Sequence, residues 1–442
     1  MLSKEVFNGP LDAPHRSESI GMNPESVYST LKKYEGKLPQ DVWNTSLANI
    51  HEAFANFNAS ERELRGTATS AFFVHTRRHR GSDTDVKSKV FEQLDDSSRC
   101  LPILDPKYGM QEEDVELLWN SMPPFRVGEV NGISDGKEIK CAIISVPITP
   151  KGLEGNSSHT SRMNYARPRI SQATELAQKM GAKTVGLGET LAALTNHGLS
   201  LQKNIKDLEV VTGHAFTVAF MNEITKQTAQ DLKEDLRNLK ITIVGAYGSI
   251  GSAMTEILLR EGARRLSLHD KEDRIGSLEA RRMKILENYP DAQIGVTGGN
   301  SSLRDACRES RIVEVAASAP EPFIKGEHVD PGTIVINDSQ PPSMTVEEAK
   351  KGKSKTIWVV GMLPHGFVNT FHYGLNQAEW TCLLEVIARD IGEKEIEGTG
   401  PVNPERAAKA WKVAQKLGMR LASPQSWGKV ENLAETPRIL LH

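Results

Sequence analysis

Residues 239–270, LKITIVGAYGSIGSAMTEILLREGARRLSLHD, decide the fold of this chain. The ITIV run at 241–244 is short and apolar apart from Thr242, which predicts a buried parallel strand. Glycines follow at 245, 248 and 251, then a helix with apolar periodicity and a second strand. Strand, glycine turn, helix and strand in this order predict a Rossmann-type βαβ unit that binds a dinucleotide.

Each glycine of the turn has a separate expected role. Gly245 permits the tight turn, Gly248 lets the backbone approach a pyrophosphate, and Gly251 lets the helix pack closely on the sheet. The start of the helix then offers N–H donors and the positive end of its dipole to the phosphates. The alternative is a structural glycine turn in another α/β unit, because the spacing departs from the usual GxGxxG. The cofactor-binding residues predicted in this turn are Gly245, Tyr247, Gly248, Ser249, Ile250 and Gly251.

Charged side chains at the end of the second strand bear on the choice of cofactor. Asp270 lies where a carboxylate accepts hydrogen bonds from the adenosine ribose and repels a 2′-phosphate, which favours NAD. His269, Lys271 and Arg274 are close in sequence and offset that charge. The expected cofactor is therefore NADPH or NADH. Lys271 and Ser318, the latter in the AASAP turn after a later strand, complete the predicted cofactor contacts.

The composition excludes several classes of protein. The 442 residues include 54 Lys and Arg against 57 Asp and Glu, for a net charge of −3, with 38% apolar and 25% charged residues. This balance is unlike that of a disordered chain and lacks the positive charge typical of nucleic-acid binding. The sequence contains no run of 18 apolar residues, so no membrane-spanning helix is expected. Four cysteines without a CxxC pair indicate no disulfide framework and no zinc site, so we expect a cytoplasmic protein without a metal.

The remaining sequence predicts an α/β protein of four segments. Residues 1–125 are polar and irregular, and they are interpreted as an N-terminal extension of unknown fold. Residues 126–236 and 351–442 are two segments of an α/β catalytic domain, and the Rossmann domain at 237–350 is inserted between them. In the first catalytic segment, RVGEVNG and KEIKCAIISVPI predict a hairpin, followed by alternating helix and strand. The last segment predicts two helices.

A basic cluster, HTRRHR, occupies positions 75–80 of the N-terminal extension. One interpretation is a docking patch for an acidic partner, and the other is a solvated surface run. Charge runs usually face water, which favours the second interpretation.

Cys382 differs from the other cysteines by its place on a predicted helix. The helix near 377–390 carries its apolar residues on one face, and Cys382 lies on the opposite face with Glu385. A thiol beside a carboxylate, with His365 and His372 shortly upstream as candidate acid/base groups, can act in acyl transfer. The alternative is a partly buried structural cysteine. The other three cysteines are interpreted as structural, since cysteine is often simply buried: Cys100, Cys141 and Cys307.

Several ordered segments resemble the long-chain acyl-acyl-carrier-protein reductases, which form aldehydes. The resemblance spans about Val115 to Lys429 and includes LLWNSMPPF, GLGETLAALTNHG, VTGHAFTVA, VGAYGSIGSAM, AASAP, VINDSQPP and TCLLE. In that family a cysteine in an ACxAE-type segment forms the acyl-enzyme, and the matching residues here are Cys382 and Glu385. The resemblance implies that the Cys382 thiolate attacks an acyl thioester, that nicotinamide hydride reduces the bound acyl group, and that an aldehyde is released.

The sequence also departs from that family and leaves alternatives open. Asp270 replaces the usual arginine, and the GMLPHGFVNTFHYGLN stretch differs in length and character, so the acyl group is undefined. A dehydrogenase that acts on an alcohol, imine or amino acid by direct hydride transfer needs no cysteine. A non-catalytic dinucleotide-binding protein is the third alternative. The expected partner is an acyl carrier protein or coenzyme A thioester, with no nucleic acid; homo-oligomerisation is left open.

Overall fold

The structure, a computed structural model, describes most of the chain. The predictions for Cys100, Ser318, His372 and positions 76–80 of the basic cluster lie outside the described residues. The described ranges are 23–75, 101–104, 108–149, 152–153, 158–317, 319, 322–339, 342–371, 375, 377–396 and 398–436.

The strands and helices of the described residues alternate along most of the chain. The strands are β1 (Ser70–His75), β2 (Phe125–Ser134), β3 (Lys137–Val146), β4 (Thr184–Leu187), β5 (Glu209–Val211), β6 (Lys240–Val244), β7 (Arg265–Asp270), β8 (Gln293–Gly298), β9 (Ile312–Val315), β10 (Ile334–Asn337), β11 (Lys355–Trp358), β12 (Val360–Met362), β13 (Val368–Asn369), β14 (Glu379–Trp380), β15 (Arg420–Leu421), β16 (Gln425–Ser426) and β17 (Lys429–Val430). The helices are α1 (Pro24–Lys32), α2 (Gln40–Asn58), α3 (Glu61–Leu64), α4 (Glu112–Ser121), α5 (His159–Met180), α6 (Leu191–Leu194), α7 (Leu199–Gln202), α8 (His214–Asp231), α9 (Ser249–Arg260), α10 (Ile275–Asn288), α11 (Leu303–Cys307), α12 (Val346–Lys351), α13 (Thr381–Ile391) and α14 (Pro404–Lys416). None of these helices is both long enough and apolar enough to cross a membrane.

The chain divides into two compact units, each made of three stretches of sequence. The first unit contains Met1–Thr212, His365–Gly374 and Glu385–Gly400. The second contains Gly213–Pro364, Leu375–Leu384 and Pro401–His442. These boundaries differ from the four segments expected from the sequence.

The second unit has the predicted Rossmann sheet. Its strand order is β11-β10-β9-β6-β7-β8, and every neighbouring pair is parallel. In chain order within this sheet the arrangement is 3-2-1-4-5-6, which is the strand order of dinucleotide-binding domains. The prediction of an α/β fold with a Rossmann-type parallel sheet is therefore confirmed. The order reverses between β6 and β9, so the glycine turn after β6 lies at the switch point of the sheet.

The first unit contains a mixed sheet in the order β13-β2-β3-β1-β4-β5. Strands β2 and β3 form the predicted antiparallel hairpin, and the pairs β3–β1, β1–β4 and β4–β5 are parallel. Helix α5 ends at Gly181, whose φ of +98° is the left-handed conformation that glycine adopts readily at a helix end. The helix-to-strand alternation predicted around Gly181 is thus present.

The N-terminal region contributes to this sheet and is not a separate extension. Strand β1, with the sequence SAFFVH, pairs with β3 on one side and β4 on the other, and all six of its residues are buried. A central strand flanked by two parallel neighbours is expected to be continuously apolar. His75 ends this strand as a buried side chain, so it does not belong to a solvated surface run.

Helix α8 belongs to the Rossmann unit, although the sequence boundary at residue 237 left it outside. Its residues are buried along most of its length. Thr225 of α8 donates a hydrogen bond of 2.7 Å to Oε1 of Glu314, which lies in the middle of strand β9. Burial raises the pKa of the Glu314 carboxyl to about 8. The carboxyl is therefore mostly protonated at neutral pH, which avoids an uncompensated charge inside the sheet.

This buried carboxyl predicts a pH-dependent stability. The folded-state pKa lies above the unfolded value of 4.5, so the folded protein binds the proton more tightly between about pH 4.5 and 8. Over this window the free energy of unfolding falls as pH rises, by up to about 1.4 kcal/mol per pH unit. In Glu314→Gln, the contribution of this carboxyl to the slope of unfolding free energy against pH is lost. Urea unfolding at four pH values measures this slope.

The control is Glu327→Gln, which removes an exposed carboxylate of the same unit. It should retain the wild-type slope. Parallel slopes for wild type and Glu314→Gln would contradict the assignment of this carboxyl.

Candidate functional site

The glycine turn after β6 is held by backbone contacts that exclude side chains. Gly245 has a φ of +86°, and a Cβ atom there would lie 2.6 Å from the carbonyl oxygen of Ala316, just beyond β9. A Cβ atom at Gly251 would lie 2.3 Å from the carbonyl oxygen of Gly245. The tight turn and the close helix packing predicted for these two glycines are therefore present.

The middle of the turn faces outward at the start of α9. Tyr247 and Gly248 are exposed, and Ser249 and Ile250 are half-buried. The first N–H groups of a helix have no acceptor within the helix, and together with the helix dipole they favour an anion. A glycine-lined cradle before such a helix fits the pyrophosphate of a dinucleotide. The Ser249 hydroxyl oxygen accepts a 2.9 Å hydrogen bond from the N–H of Val402.

Asp270 ties the end of β7 to this turn. One carboxylate oxygen accepts a 2.8 Å hydrogen bond from the N–H of Tyr247, and the other accepts one of 2.8 Å from the N–H of Lys271. His269 is buried and contacts the Thr297 hydroxyl through Nδ1 at 2.9 Å. Burial lowers the pKa of His269, so its imidazole is neutral at pH 7 and does not offset the charge of Asp270.

Cationic side chains flank the same turn. The Arg274 guanidinium lies 4.7 Å from the ring centroid of Tyr247, in a cation–π arrangement. Nη1 of Arg281 donates a 2.8 Å hydrogen bond to the carbonyl oxygen of Ala246. Lys271 is exposed. The outer side of the turn therefore carries both cationic side chains and the Asp270 carboxylate. Of these charged groups, Asp270 is the one held in place by two backbone N–H donors.

Cys382 lies in the same unit as the turn, in the first turn of α13. Its surroundings are tightly packed: a Cβ atom at Gly213 would lie 2.2 Å from Cβ of Cys382. Gly213 caps the start of α8 with a φ of +78°. The hydroxyl groups of Thr217 and Thr381 are 3.0 Å apart and join the first turns of the two helices. Cys382 thus lies beside the N-terminal ends of α8 and α13.

A series of backbone contacts leads from the glycine turn along the carboxyl edge of the Rossmann sheet to β11, and from there through the three-stranded sheet β14-β12-β15 to Cys382. Gly245 touches Ala316 beyond β9, and the N–H of Asp338 beyond β10 donates to Val315 at 3.0 Å. The N–H of Val359 beyond β11 donates to Asn337 at 3.2 Å. The next residue, Val360, pairs with Trp380, two positions before Cys382. Ligands of open α/β sheets bind outside this carboxyl edge.

The other two predicted catalytic residues, Glu385 and His365, belong to the first unit. Glu385 is buried one turn after Cys382 on the same helix, among residues of the first unit. His365 is an exposed residue of the first unit. The second unit by itself therefore combines the glycine turn, Asp270 and Cys382.

Burial raises the pKa of two other thiols to about 12, which fits their interpretation as structural cysteines: Cys141 and Cys307.

Sequence reasoning missed Asp338. This half-buried carboxyl follows β10 directly, at the edge described above. Burial raises its pKa to about 7. The signal in the sequence was an acidic residue at the end of an apolar strand, in VINDSQPP, the same pattern that identified Asp270.

Comparison with known proteins supports a distant relationship. No protein-family model matches the chain. The long-chain acyl-[acyl-carrier-protein] reductase of Synechococcus elongatus is 26% identical over 264 residues, which cover 56% of this chain and 70% of that protein.

Similarity to solved structures is weaker. A dipicolinate synthase from Bacillus halodurans is 14% identical over 41% of this chain and 60% of that chain, with a TM-score of 0.29. Shikimate 5-dehydrogenase from Listeria monocytogenes, in complex with shikimate and NAD, is 14% identical over 42% and 57%, with a TM-score of 0.27. The Entamoeba histolytica malic enzyme is 14% identical over 93% and 85%, with a TM-score of 0.32. The chain spans less than two thirds of the first two proteins, and scores below 0.5 support no conclusion about activity.

The strand order, the glycine turn and the sequence match together define a Rossmann-type, dinucleotide-dependent oxidoreductase. More particularly, the chain is a distant relative of the long-chain acyl-[acyl-carrier-protein] reductases. The family resemblance inferred from the sequence is confirmed at this level.

The contact between Gly213 and Cys382 predicts a specific effect of a small substitution. Gly213→Ala adds a methyl group in a left-handed conformation and against Cβ of Cys382, so it should cost about 1–3 kcal/mol in unfolding free energy. It should also displace Cys382 and change its rate of alkylation by iodoacetamide by about tenfold or more. Urea unfolding and peptide mapping after timed alkylation measure the two effects.

Gly262→Ala is the matched control. Gly262 also has a positive φ, of +101°, but a Cβ atom there would meet nothing within 4 Å. It should be destabilised by backbone strain and leave alkylation of Cys382 unchanged. Equal alkylation rates in the two variants would argue against the contact.

Proposed function

We infer that this protein reduces an acyl thioester to an aldehyde through an acyl-enzyme on Cys382. The observation that carries the proposal is the position of this thiol beside two helix N-termini, in the same unit as the glycine turn. Helix N-termini stabilise negative charge and so favour the nucleophilic thiolate. The distant relative in Synechococcus is by name a long-chain acyl-[acyl-carrier-protein] reductase, which agrees with this chemistry.

The proposed reaction has two stages. The Cys382 thiolate attacks the carbonyl carbon of the substrate thioester, and the thiol of the acyl carrier protein or of coenzyme A leaves. A bound nicotinamide cofactor supplies the hydride for the second stage. The acyl group, held on Cys382, becomes a thiohemiacetal, and cleavage of its C–S bond releases the aldehyde and regenerates the thiolate.

Residues around the site have separate roles in this proposal. Gly245, Gly248 and the start of α9 would hold the pyrophosphate of the cofactor, and Asp270 would bind its adenosine ribose. Gly213 sets the position of Cys382 by direct packing. Glu385 is proposed as a polar neighbour on the same helix, following the family pattern. His365, an exposed residue of the first unit, is the acid/base candidate that the sequence gives.

The acyl-enzyme can be tested directly by intact mass measurement. The purified protein is incubated with a panel of acyl carrier protein and coenzyme A thioesters in the absence of cofactor. We expect wild type to gain the mass of one acyl group and Cys382→Ala to gain none. The acyl group that is transferred also identifies the substrate class.

The control is Cys307→Ala in the same unit, where burial disfavours the reactive thiolate. This variant should be acylated like wild type. If no thioester modifies the wild-type protein while it still oxidises NADH or NADPH with a carbonyl substrate, direct hydride transfer replaces the cysteine mechanism.

NADH is proposed as the preferred cofactor. Two backbone N–H groups fix the Asp270 carboxylate at the end of β7, where a 2′-phosphate would meet its negative charge. Neutral His269 does not compensate for that charge, and the Arg274 guanidinium lies over Tyr247.

Asp270→Asn keeps the shape of the side chain and removes the charge. The ratio of the NADPH to the NADH dissociation constant should fall by about tenfold, equivalent to about 1.4 kcal/mol. Fluorescence titration with both nucleotides measures this ratio. Glu287→Gln removes an exposed carboxylate from α10 and serves as the control, with an unchanged ratio expected. If wild type binds NADPH more tightly than NADH, the proposed preference for NADH is wrong.

A further inference from the structure

One carboxyl at the carboxyl edge of the Rossmann sheet has no role in the chemistry described so far. Asp338 is the first residue beyond β10, one strand further from the glycine turn than Ala316 beyond β9. Its backbone N–H donates to Val315, so its position at the edge is fixed by the sheet. The side chain is half-buried.

The Asp338 carboxyl has no hydrogen-bond or ion-pair partner within the described ranges. The neighbouring strand ends present Ala316 and Ala317 on one side and Val359 on the other, none of which is titratable. The adjacent polar side chains are engaged elsewhere: Asn337 donates to the carbonyl oxygen of Ser339 at 2.7 Å, and the Ser339 hydroxyl donates to the carbonyl oxygen of Ala317. A half-buried carboxyl that the fold does not use for structure is available for chemistry.

The position of Asp338 in the sheet also agrees with a chemical role for its carboxyl. In an open α/β sheet the ligand crosses the carboxyl edge at the switch point, here between β6 and β9. Asp338 extends this edge on the β9 side. Val359 contacts Asn337 on its far side, and Val360 pairs with Trp380 just before Cys382. Asp338 therefore lies along the backbone path that joins the glycine turn to the proposed nucleophile.

We propose that Asp338 is the proton donor and acceptor for reduction of the acyl group on Cys382. This inference rests on the proposed function. Hydride addition to the carbonyl carbon of the Cys382 thioester converts its oxygen to an oxyanion, and the Asp338 carboxyl donates a proton to that oxygen. As the C–S bond breaks, the Asp338 carboxylate takes the proton back and the electron pair of that bond returns to the Cys382 sulfur. The products are the aldehyde, the thiolate and a reprotonated Asp338, so the proton is conserved.

The pKa of the Asp338 carboxyl suits the proposed proton transfer. Burial raises the pKa of Asp338 to about 7, and no charged side chain of the described residues contributes to that shift. An acid with a pKa near the working pH is protonated in a large fraction of molecules and still returns its proton readily. The reduction step should therefore slow in wild type as pH rises through about 7.

The test separates acylation from reduction by mass spectrometry. Asp338→Asn retains the size of the side chain and removes the transferable proton. Without cofactor, the variant should form the Cys382 adduct as wild type does. With NADH added in a quenched time course, the wild-type adduct should disappear, whereas the adduct of Asp338→Asn should persist, with a reduction rate about 100-fold lower. The pH dependence of that rate should be lost with the carboxyl.

Glu314→Gln is the matched control, since it makes the same carboxyl-to-amide change in the interior of the adjacent strand. It should reduce the adduct at the wild-type rate. Infrared difference spectra of wild type minus Asp338→Asn measure the carboxyl titration independently of turnover, with a midpoint near pH 7 expected. Thermal unfolding and NADH titration report whether Asp338→Asn remains folded.

The outcomes distinguish the two proposals. Equal reduction rates in wild type and Asp338→Asn overturn the role of Asp338 while the acyl-enzyme remains established. Failure of the wild-type protein to form any adduct overturns both. A slow Asp338→Asn that still shows the wild-type pH dependence also overturns the proposal, because another group would then carry the proton.

Discussion

Contact between backbones at the switch point of the Rossmann sheet is the constraint on which the functional edge depends. Gly245 meets the carbonyl group of Ala316, and Gly251 meets the carbonyl group of Gly245, at distances that leave no room for a Cβ atom. These contacts draw the end of β6, the end of β9 and the start of α9 together. The exposed middle of the turn is thereby directed outward, with the N-terminal amides of α9 behind it.

A second contact of the same kind positions the thiol. Gly213 touches Cys382 where α8 and α13 begin, and its positive φ lets the chain enter α8 at that point. The same physical device, a glycine that admits a neighbouring backbone, thus occurs at the glycine turn and beside Cys382, the proposed nucleophile. In both places the benefit is electrostatic, since a helix N-terminus faces the position where negative charge is proposed to lie.

The two carboxyls with raised pKa values illustrate how position decides the role of a group. Glu314 lies inside the sheet, accepts a hydrogen bond from Thr225, and is kept neutral by burial. Asp338 lies one strand away but at the end of the strand, half-buried and without a partner in the described ranges. The first affects the stability of the fold, and the second is the group proposed to transfer a proton. Asp270, at the end of β7, is a third case, because two backbone N–H groups hold its carboxylate in place.

Local sequence pattern determined the βαβ unit, the glycine turn, the β2–β3 hairpin and the family relationship, because apolar periodicity and glycine spacing act over a few residues. It also selected Cys382 among four cysteines. Only the tertiary structure decided that β1 is the centre of a sheet, that α8 belongs to the Rossmann unit, and that Asp338 lies at the carboxyl edge of its sheet. Those features depend on pairing between segments far apart in sequence, and a short apolar run or a single aspartate carries no local sign of which strands will flank it.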